Sequence, residues 1–225
     1  MRYLHNIAAH ETFVASGIYR YFCDDEPLAV SEAWTLHELQ GGATFIRVDE
    51  DGRDEDGLTI LSEALLNPDG KIERFNVQSF NADDTELSDF KADYVFAETY
   101  VQIGRKVQGQ EREYSEFELM QDAQIYIKQT VYMGYTIRDI RNTGGTANVF
   151  SPQLLAIGSS QLQKIIVETV GEETLQIGRK SIETTKYQIA DDVFYWLDEH
   201  FIPIQRQYLH DGKQYRVTIS NYAHR

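Results

Sequence analysis

Alternating hydrophobic and polar positions run through much of the chain. Across residues 13–22, the odd-numbered positions share one face of an extended chain, and the even-numbered positions share the other. Residues 94–103 and 125–132 alternate in the same way, and Val193–Leu197 is a short run rich in aromatic and β-forming residues. Because a period of two is typical of strands with one buried face, the pattern predicts a mainly β protein.

Turn-forming residues separate these runs. The tetrapeptide at 67–70 is Asn-Pro-Asp-Gly, and the one at 210–213 is His-Asp-Gly-Lys; each lies between two apolar runs. Asp-Gly supplies the positive φ angles that tight hairpin turns require. We therefore expect an antiparallel meander of hairpins, folded as a strongly curved sheet or half-barrel.

One segment breaks the alternation and predicts a helix. Ser151 is a good N-cap residue, and Pro152 suits the first helical position. Several leucines and isoleucines follow with little charge between them. These features indicate one short helix near 152–163, packed across the sheet. The alternative is an extended connector with a single helical turn.

A repeated pentapeptide bears on the domain organisation. Gln-Ile-Gly-Arg-Lys occurs at 102–106 and again at 176–180. The repeat suggests internal duplication, in which a single β domain over 1–225 would contain two related β halves, about 1–140 and 141–225. Hairpin chemistry shared by unrelated strands is the alternative.

The composition narrows the class of protein. The chain has 225 residues, of which 42% are hydrophobic and 12% aromatic, so it contains enough apolar surface to fold. Its formal net charge is −15, which disfavours binding to the phosphate backbone of nucleic acids and to anionic membrane surfaces. We therefore expect no nucleic-acid partner.

The sequence also bears on localisation. No stretch approaches the roughly 20 apolar residues of a membrane span. The first residues do not resemble an export signal, and the single cysteine, Cys23, cannot form an internal disulfide. We expect a cytoplasmic protein, and the removal of an export signal from the sequence stays open as an alternative.

Motifs for catalysis, metals and cofactors are weak. The six histidines do not show metal-binding spacing, and the acidic loop at 49–57 places Arg53 where a calcium loop needs an oxygen ligand. Nucleophile-elbow, phosphate-loop and dinucleotide-binding motifs are not found. We therefore predict no catalytic residues, no metal and no cofactor, and rank an enzyme below a binding protein.

Aromatic residues are the most informative candidates for a binding site. Those in strand-like runs could line a cavity, because Tyr and Trp offer an apolar face with a polar group; core packing is the alternative. The candidate lining residues are Trp34, Tyr94, Phe96, Tyr126, Tyr132, Tyr195 and Trp196. Arg105 and Arg179, from the repeated pentapeptide, are candidates for an anionic head group at the rim, and surface pairing with carboxylates is their alternative role.

Two stretches carry a resemblance to known families. The run Val193–Leu197, followed by Asp198, Pro203 and the Asp-Gly turn at 211–212, resembles β-rich bacterial families of unknown function related to the lipoprotein-localisation half-barrels. Residues 32–36, with 57–77, are similar to a glycolipid-binding family built from duplicated β units. The resemblance implies a curved antiparallel sheet around a helix or a cavity, whose concave face shelters acyl chains.

Two functions follow as expectations. The first is non-catalytic binding of an apolar or glycolipid-like small molecule in the concave face of a β half-barrel. The alternative is an interaction or assembly protein without a small ligand, which acts as a homo-oligomer such as a homodimer. The missing export signal argues against lipoprotein transport itself.

Overall fold

A computed structural model describes residues 1–81, 89–155 and 159–225. Nine strands precede a single helix in these residues. They are β1 (Thr12–Cys23), β2 (Glu26–Glu38), β3 (Thr44–Gly52), β4 (Leu58–Leu66), β5 (Ile72–Asn81), β6 (Phe90–Phe96), β7 (Tyr100–Val107), β8 (Glu113–Glu118) and β9 (Gln124–Ile125).

The helix α1 spans Thr130–Asn142 and is followed by seven strands in the described part of the chain. These strands are β10 (Thr146–Ser151), β11 (Gln161–Ile166), β12 (Glu168–Ile177), β13 (Lys180–Ala190), β14 (Val193–Leu197), β15 (Pro203–His210) and β16 (Lys213–His224).

One large curved sheet organises the molecule. Its 13 strands lie in the order β12-β13-β14-β15-β16-β1-β2-β3-β4-β5-β6-β7-β8. Each neighbouring pair is antiparallel, and β16 pairs with β1 in the middle of the order. The sheet is not closed, because β12 and β8 are its two edges. A small sheet, β11-β10-β9, accompanies it. The predicted fold class, a mainly β protein with a curved antiparallel sheet and one short helix, is confirmed.

Several predicted elements are confirmed in detail. The alternation at 13–22 is β1, and Val193–Leu197 is β14. The two tetrapeptides form the β4–β5 and β15–β16 turns, where Gly70 and Gly212 have φ angles of 79° and 74°. These positions favour glycine because other residues rarely adopt positive φ.

The predicted position of the helix is wrong. Within 152–163, residues 152–155 and 159–160 are not helical, 161–163 belong to β11, and 156–158 lie outside the described residues. The leucines of this region, Leu154, Leu155 and Leu162, pack against the core, and Leu162 pairs with Phe150 of β10.

Two predicted strands also need correction. The alternation at 94–103 is not one strand but the β6–β7 hairpin, whose turn at 97–99 contains no Gly, Pro or Asn to reveal it. The alternation at 125–132 is strand only at its start in β9, and α1 begins at Thr130. Both errors arise because buried residues on consecutive elements happened to keep a period of two.

The helix α1 lies against the concave side of the large sheet and divides the core. One cluster of buried residues includes Trp34, Phe75 and Tyr132, and a second includes Ile137 and Tyr195. Because residues 130–134 of α1 are all buried, the first half of the helix lacks the polar stripe of a surface helix. Its β-branched and aromatic residues therefore look like a strand in the sequence.

The outer face of β3 and β4 is covered by residues 1–11, which we call the N-terminal segment. Arg47 is buried there between two carboxylates, with its Nη1 2.7 Å from Glu11 and its Nε 3.3 Å from Glu63. His5 Nδ1 lies 2.7 Å from Glu63, and Arg2 Nη2 lies 2.7 Å from Asp49. Buried charges of this kind need partners, so the segment is tied to the strands by complementary charge.

The repeated pentapeptide adopts two different local structures. Its first copy lies inside β7, whereas the second spans the β12–β13 turn, where Gly178 has a φ of 60°. The two copies are therefore not equivalent in conformation. Duplication, with halves of about 1–140 and 141–225, stays a prediction.

We expect Gly134→Ala to destabilise the protein. Gly134 lies within α1 where the helix passes the β14–β15 loop, and a Cβ there would overlap the carbonyl oxygen of Phe201. The backbone must shift, which should lower the free energy of unfolding by about 1–3 kcal/mol. Urea unfolding checks this. Gly171→Ala in β12, where nothing lies within 4 Å of the new Cβ, is the matched control and should change little. Equal stability of the two variants would contradict the packing.

Candidate functional site

The N-terminus of α1 is capped by a carboxylate from the large sheet. Glu32 of β2 is fully buried, and its carboxylate accepts hydrogen bonds from the backbone N–H groups of Thr130 at 3.1 Å and Val131 at 3.3 Å. The Tyr21 hydroxyl donates a third hydrogen bond to it at 2.8 Å. Because the first N–H groups of a helix lack partners within the helix, Glu32 satisfies them and complements the helix dipole.

A second carboxylate lies opposite Glu32. Glu50 of β3 is its register partner, so both side chains lie on the same face of the sheet. Burial, assisted by the charge of Glu32, raises the pKa of Glu50 to about 7. Gln129 Nε2 donates a hydrogen bond to Glu50 at 3.1 Å. The two carboxylates therefore change their joint charge close to neutral pH.

A chain of neutral hydrogen bonds extends from this pair to the neighbouring strands. The Ser62 hydroxyl of β4 donates to the side-chain oxygen of Gln129 and lies 3.1 Å from the Tyr132 hydroxyl. Tyr132 in turn donates to the carbonyl oxygen of Ile46 at 3.2 Å. These bonds tie the start of α1 to β3 and β4.

Arg206 of β15 supplies the nearby positive charge. Its guanidinium lies 4.3 Å from the ring centre of Tyr208 and 5.4 Å from that of Tyr195, and its charge acts on Glu50. We call Tyr21, Glu32, Glu50, Gln129 and Arg206 the interior polar cluster. Its described contacts anchor α1 in the sheet.

A cleft opens beside the second half of α1. It has a volume of about 330 Å³ and lies between the helix, the start of β5, the β6–β7 turn and β9. We call it the helix cleft. Its apolar side is lined by Ile72, Phe96, Leu119, Ile125 and Tyr135. Its polar side is lined by Asn67, Lys71, Glu73, Glu98, Asp122 and Asp139.

Arg138 contacts two helix residues that line the helix cleft, Tyr135 and Asp139. Arg138 Nη2 lies 2.8 Å from Asp139, and its guanidinium lies 5.1 Å from the ring centre of Tyr135. Burial raises the pKa of Asp139, and the charge of Arg138 opposes that change. Burial also raises the pKa of Tyr135, so its hydroxyl stays protonated at neutral pH.

Four of the seven aromatic candidates are buried inside the concave side. Trp34, Tyr94, Tyr132 and Tyr195 are each at most 1% exposed. Trp34 stacks on Tyr19 at 6.2 Å between ring centres, a contact between protein groups. Their burial supports the core-packing alternative, and contact of any of them with a ligand stays a prediction.

The other three candidates lie in separate places. Phe96 lines the helix cleft. Tyr126 is half-buried and packs against the second core cluster. Trp196 points away from Tyr195, donates its indole N–H to Glu173 at 2.8 Å and lies under Lys186 Nζ, 4.6 Å from the ring. The seven residues therefore do not form one continuous wall.

The two head-group candidates are also far apart in the sheet order. Arg105 on β7 is half-buried, donates to the Gln153 side chain at 3.3 Å and lies 3.7 Å from Glu113. Arg179 is exposed at the β12–β13 turn, near the opposite edge. Arg105 is paired with groups of the protein itself. A head-group role for either arginine stays a prediction.

Sequence reasoning missed Glu32, Glu50, Tyr135 and Asp139. A signal for Glu32 existed, because it has the same parity as Trp34 along β2 and so faces the core. The same parity relates Glu50 to Val48 on β3. A carboxylate at an inward position of a strand is informative, because burial of its charge is costly without partners.

Comparisons with known proteins show the fold. No protein-family model and no curated protein matches the chain. Among solved structures, it is similar to the crystal structure of a β-barrel-like protein of a domain of unknown function, DUF1849, from Brucella abortus. The TM-score is 0.58 at 12% sequence identity, and the match covers 96% of this chain and 100% of the other. A structural similarity at this sequence identity supports a β-barrel-like fold and does not indicate an activity.

Two further observations concern the described residues only. Across 1–81, 89–155 and 159–225, no three or more His, Cys, Asp or Glu side chains are grouped so as to hold a metal ion. In the same ranges, no helix has the length and apolar character needed to cross a membrane.

We expect Glu50→Gln to flatten the pH dependence of stability. The raised pKa of Glu50 means that the native state holds this proton more tightly than the unfolded chain. Its stabilisation is complete below about pH 4.5 and is lost as the pH rises through about 7. At pH 8 the variant should gain about 1–3 kcal/mol over the parent protein.

Urea unfolding between pH 5 and pH 8 measures this difference, with Glu111→Gln, an exposed carboxylate, as the matched control. Because other groups also titrate, the comparison is the difference between variant and parent at each pH. An unchanged slope in Glu50→Gln would contradict the assignment.

Proposed function

We propose that the protein is a non-catalytic binding module that holds a small amphipathic, glycolipid-like molecule in the helix cleft. The observation that carries this proposal is the division of the cleft into an apolar side and a polar side around about 330 Å³. Small-molecule sites typically enclose roughly 300–1,000 Å³ and combine apolar walls with a few polar groups. The cleft lies at the lower end of that range, so it suits a molecule no larger than one sugar ring with a short alkyl chain.

The apolar side is supported by packing behind it. Phe96 stacks on Tyr94 with ring centres 6.2 Å apart and an interplanar angle of 9°, and it meets Phe150 edge-on at 6.0 Å. These contacts hold the Phe96 ring in place before any ligand arrives. A fixed ring loses little conformational freedom on binding, which favours affinity.

The polar side suits hydroxyl groups. Asp139 and Glu73 provide carboxylates, and Lys71 provides an ammonium group, all at the cleft. Carboxylates accept hydrogen bonds from sugar hydroxyls, and the ammonium group donates to them. This arrangement favours a ligand with a polar head and a short apolar part.

The proposal places the ligand at the rim of the concave side rather than deep within it. Residues of α1 pack against the aromatic side chains that the sequence predicted as a cavity wall. One of those predicted wall residues, Tyr132, lies on the helix itself. A ligand in the helix cleft would contact Phe96 and Tyr135 and leave that packing intact.

We expect n-octyl β-D-glucoside, used below its micelle concentration, to bind in the helix cleft with a dissociation constant of about 1 mM. Two-dimensional amide NMR should show the largest shifts at the β6–β7 turn and along α1. Methyl β-D-glucoside lacks the alkyl chain and should bind about tenfold more weakly, because less apolar surface is buried.

Ala123→Trp tests the location, because Ala123 lines the helix cleft and a Trp there fills it. This variant should weaken octyl glucoside binding about tenfold or more. Ala29→Trp is the matched control, since it adds the same bulk at an exposed position of β2 and should leave binding unchanged. Thermal unfolding confirms that both variants fold. Equal binding by both, or shifts confined to other regions, would refute the proposal.

A further inference from the structure

The edge strand β8 leaves one side of its backbone without a strand partner. β8 pairs with β7 and is the last strand in the sheet order, so no other strand of the described residues adjoins it. Most of its residues are exposed, and the Tyr114 side chain is 79% exposed. A strand edge with free N–H and C=O groups is a template for another strand.

A groove accompanies this edge on the outer face of the sheet. It has a volume of about 510 Å³, and its walls include Val95, Gln102, Arg112 and Tyr114. Gly104 forms part of the groove, because a Cβ there would come within 2.8 Å of Arg112 and 3.2 Å of Tyr114. The absence of a side chain lets these two groups lie across β7.

The groove places apolar surface beside the edge strand. Val95 is 42% exposed although it lies in a strand, and Tyr114 presents its ring beside it. Arg112 pairs with Asp93 and lies 5.4 Å from the Tyr114 ring centre. Because Arg112 is paired with Asp93, Glu116 is the charged lining residue of this groove that has no ion pair among the described residues.

The charge of the two edge strands indicates which kind of strand could pair with β8. β8 carries Glu113, Glu116 and Glu118, and the other edge strand carries carboxylates as well, at 168, 172 and 173. Edge-to-edge pairing of two copies would therefore oppose like charges, which disfavours a cross-strand pair. The whole chain is also strongly acidic, with a net charge of −15. The complementary partner is a basic strand.

We propose that β8 is a docking strand for an extended segment of another protein that bears Lys or Arg at alternate positions. The segment would add to the sheet by β-augmentation, in which backbone hydrogen bonds give affinity and alternate side chains give specificity. Its basic side chains meet Glu116 and Glu118, and one apolar side chain packs against the exposed ring of Tyr114. This site lies on the outer face and is separate from the helix cleft.

The register defines a probe. Tyr114, Glu116 and Glu118 alternate along β8 and share one face. An antiparallel partner therefore needs two basic residues followed by an apolar one, at every second position. The acetylated and amidated peptide Thr-Lys-Thr-Lys-Thr-Val-Thr has this pattern. It should bind at low ionic strength, and the binding should weaken as salt is added.

Amide NMR titration with this peptide tests the proposal. We expect shifts along β7 and β8, and about tenfold or greater weakening in Glu116→Lys/Glu118→Lys. The control Glu183→Lys/Glu199→Lys makes the same change in net charge at exposed residues elsewhere and should weaken binding less than about twofold. Tyr114→Ala, which removes an exposed ring, should weaken binding about fivefold.

Two peptide controls separate strand addition from simple charge attraction. A peptide N-methylated at the alternate amides that would face β8 keeps its charge but cannot form the strand pairing, and the version with Glu in place of Lys reverses the charge. Both should fail to bind. Equal binding by either one, or absence of β8 shifts with the parent peptide at about 1 mM, would overturn the proposal. Octyl glucoside binding is read at the helix cleft, so the two proposals fail separately.

Discussion

The seating of α1 on Glu32 is the interaction on which the rest of the structure depends. A carboxylate from β2 satisfies the first N–H groups of a helix that occupies the concave side of the sheet. Hydrogen bonds to a charged group contribute about 1.5–3 kcal/mol each, and a buried carboxylate without them would be strongly unfavourable. With the helix in place, the sheet has a core to curve around and does not need to close.

The two faces of strands β2 to β4 are held in different ways. Inside, Glu32, Glu50 and Ser62 bind the start of α1. Outside, Arg47 joins the N-terminal segment to β3 and β4 through Glu11 and Glu63. This double attachment holds the centre of the sheet on both faces. The proposed sites lie away from it, at the rim of α1 and at an edge strand, where side chains are free to meet a ligand.

Much of the fold could be predicted because most strands have one buried face. The alternation in β1 and the Asp-Gly turns at 69–70 and 211–212 express that constraint directly. The helix could not be predicted in the same way, because its first half, residues 130–134, is fully buried and shows no polar stripe. The helix cleft was hidden for another reason: Lys71, Phe96 and Tyr135 come from separate segments that only the tertiary structure brings together. Glu32 was detectable, since it occupies an inward position of a strand.

The pairing of β16 with β1 sets the order in which the large sheet can be completed. Thirteen strands form one continuous sheet, yet its central seam joins the first strand in chain order to the last. While the ribosome is still making the second half of the chain, β1 therefore has an unpaired edge that only β16 will fill. Contacts so distant in sequence slow folding. A chaperone that shields β1 during synthesis would thus protect this protein at its most exposed stage.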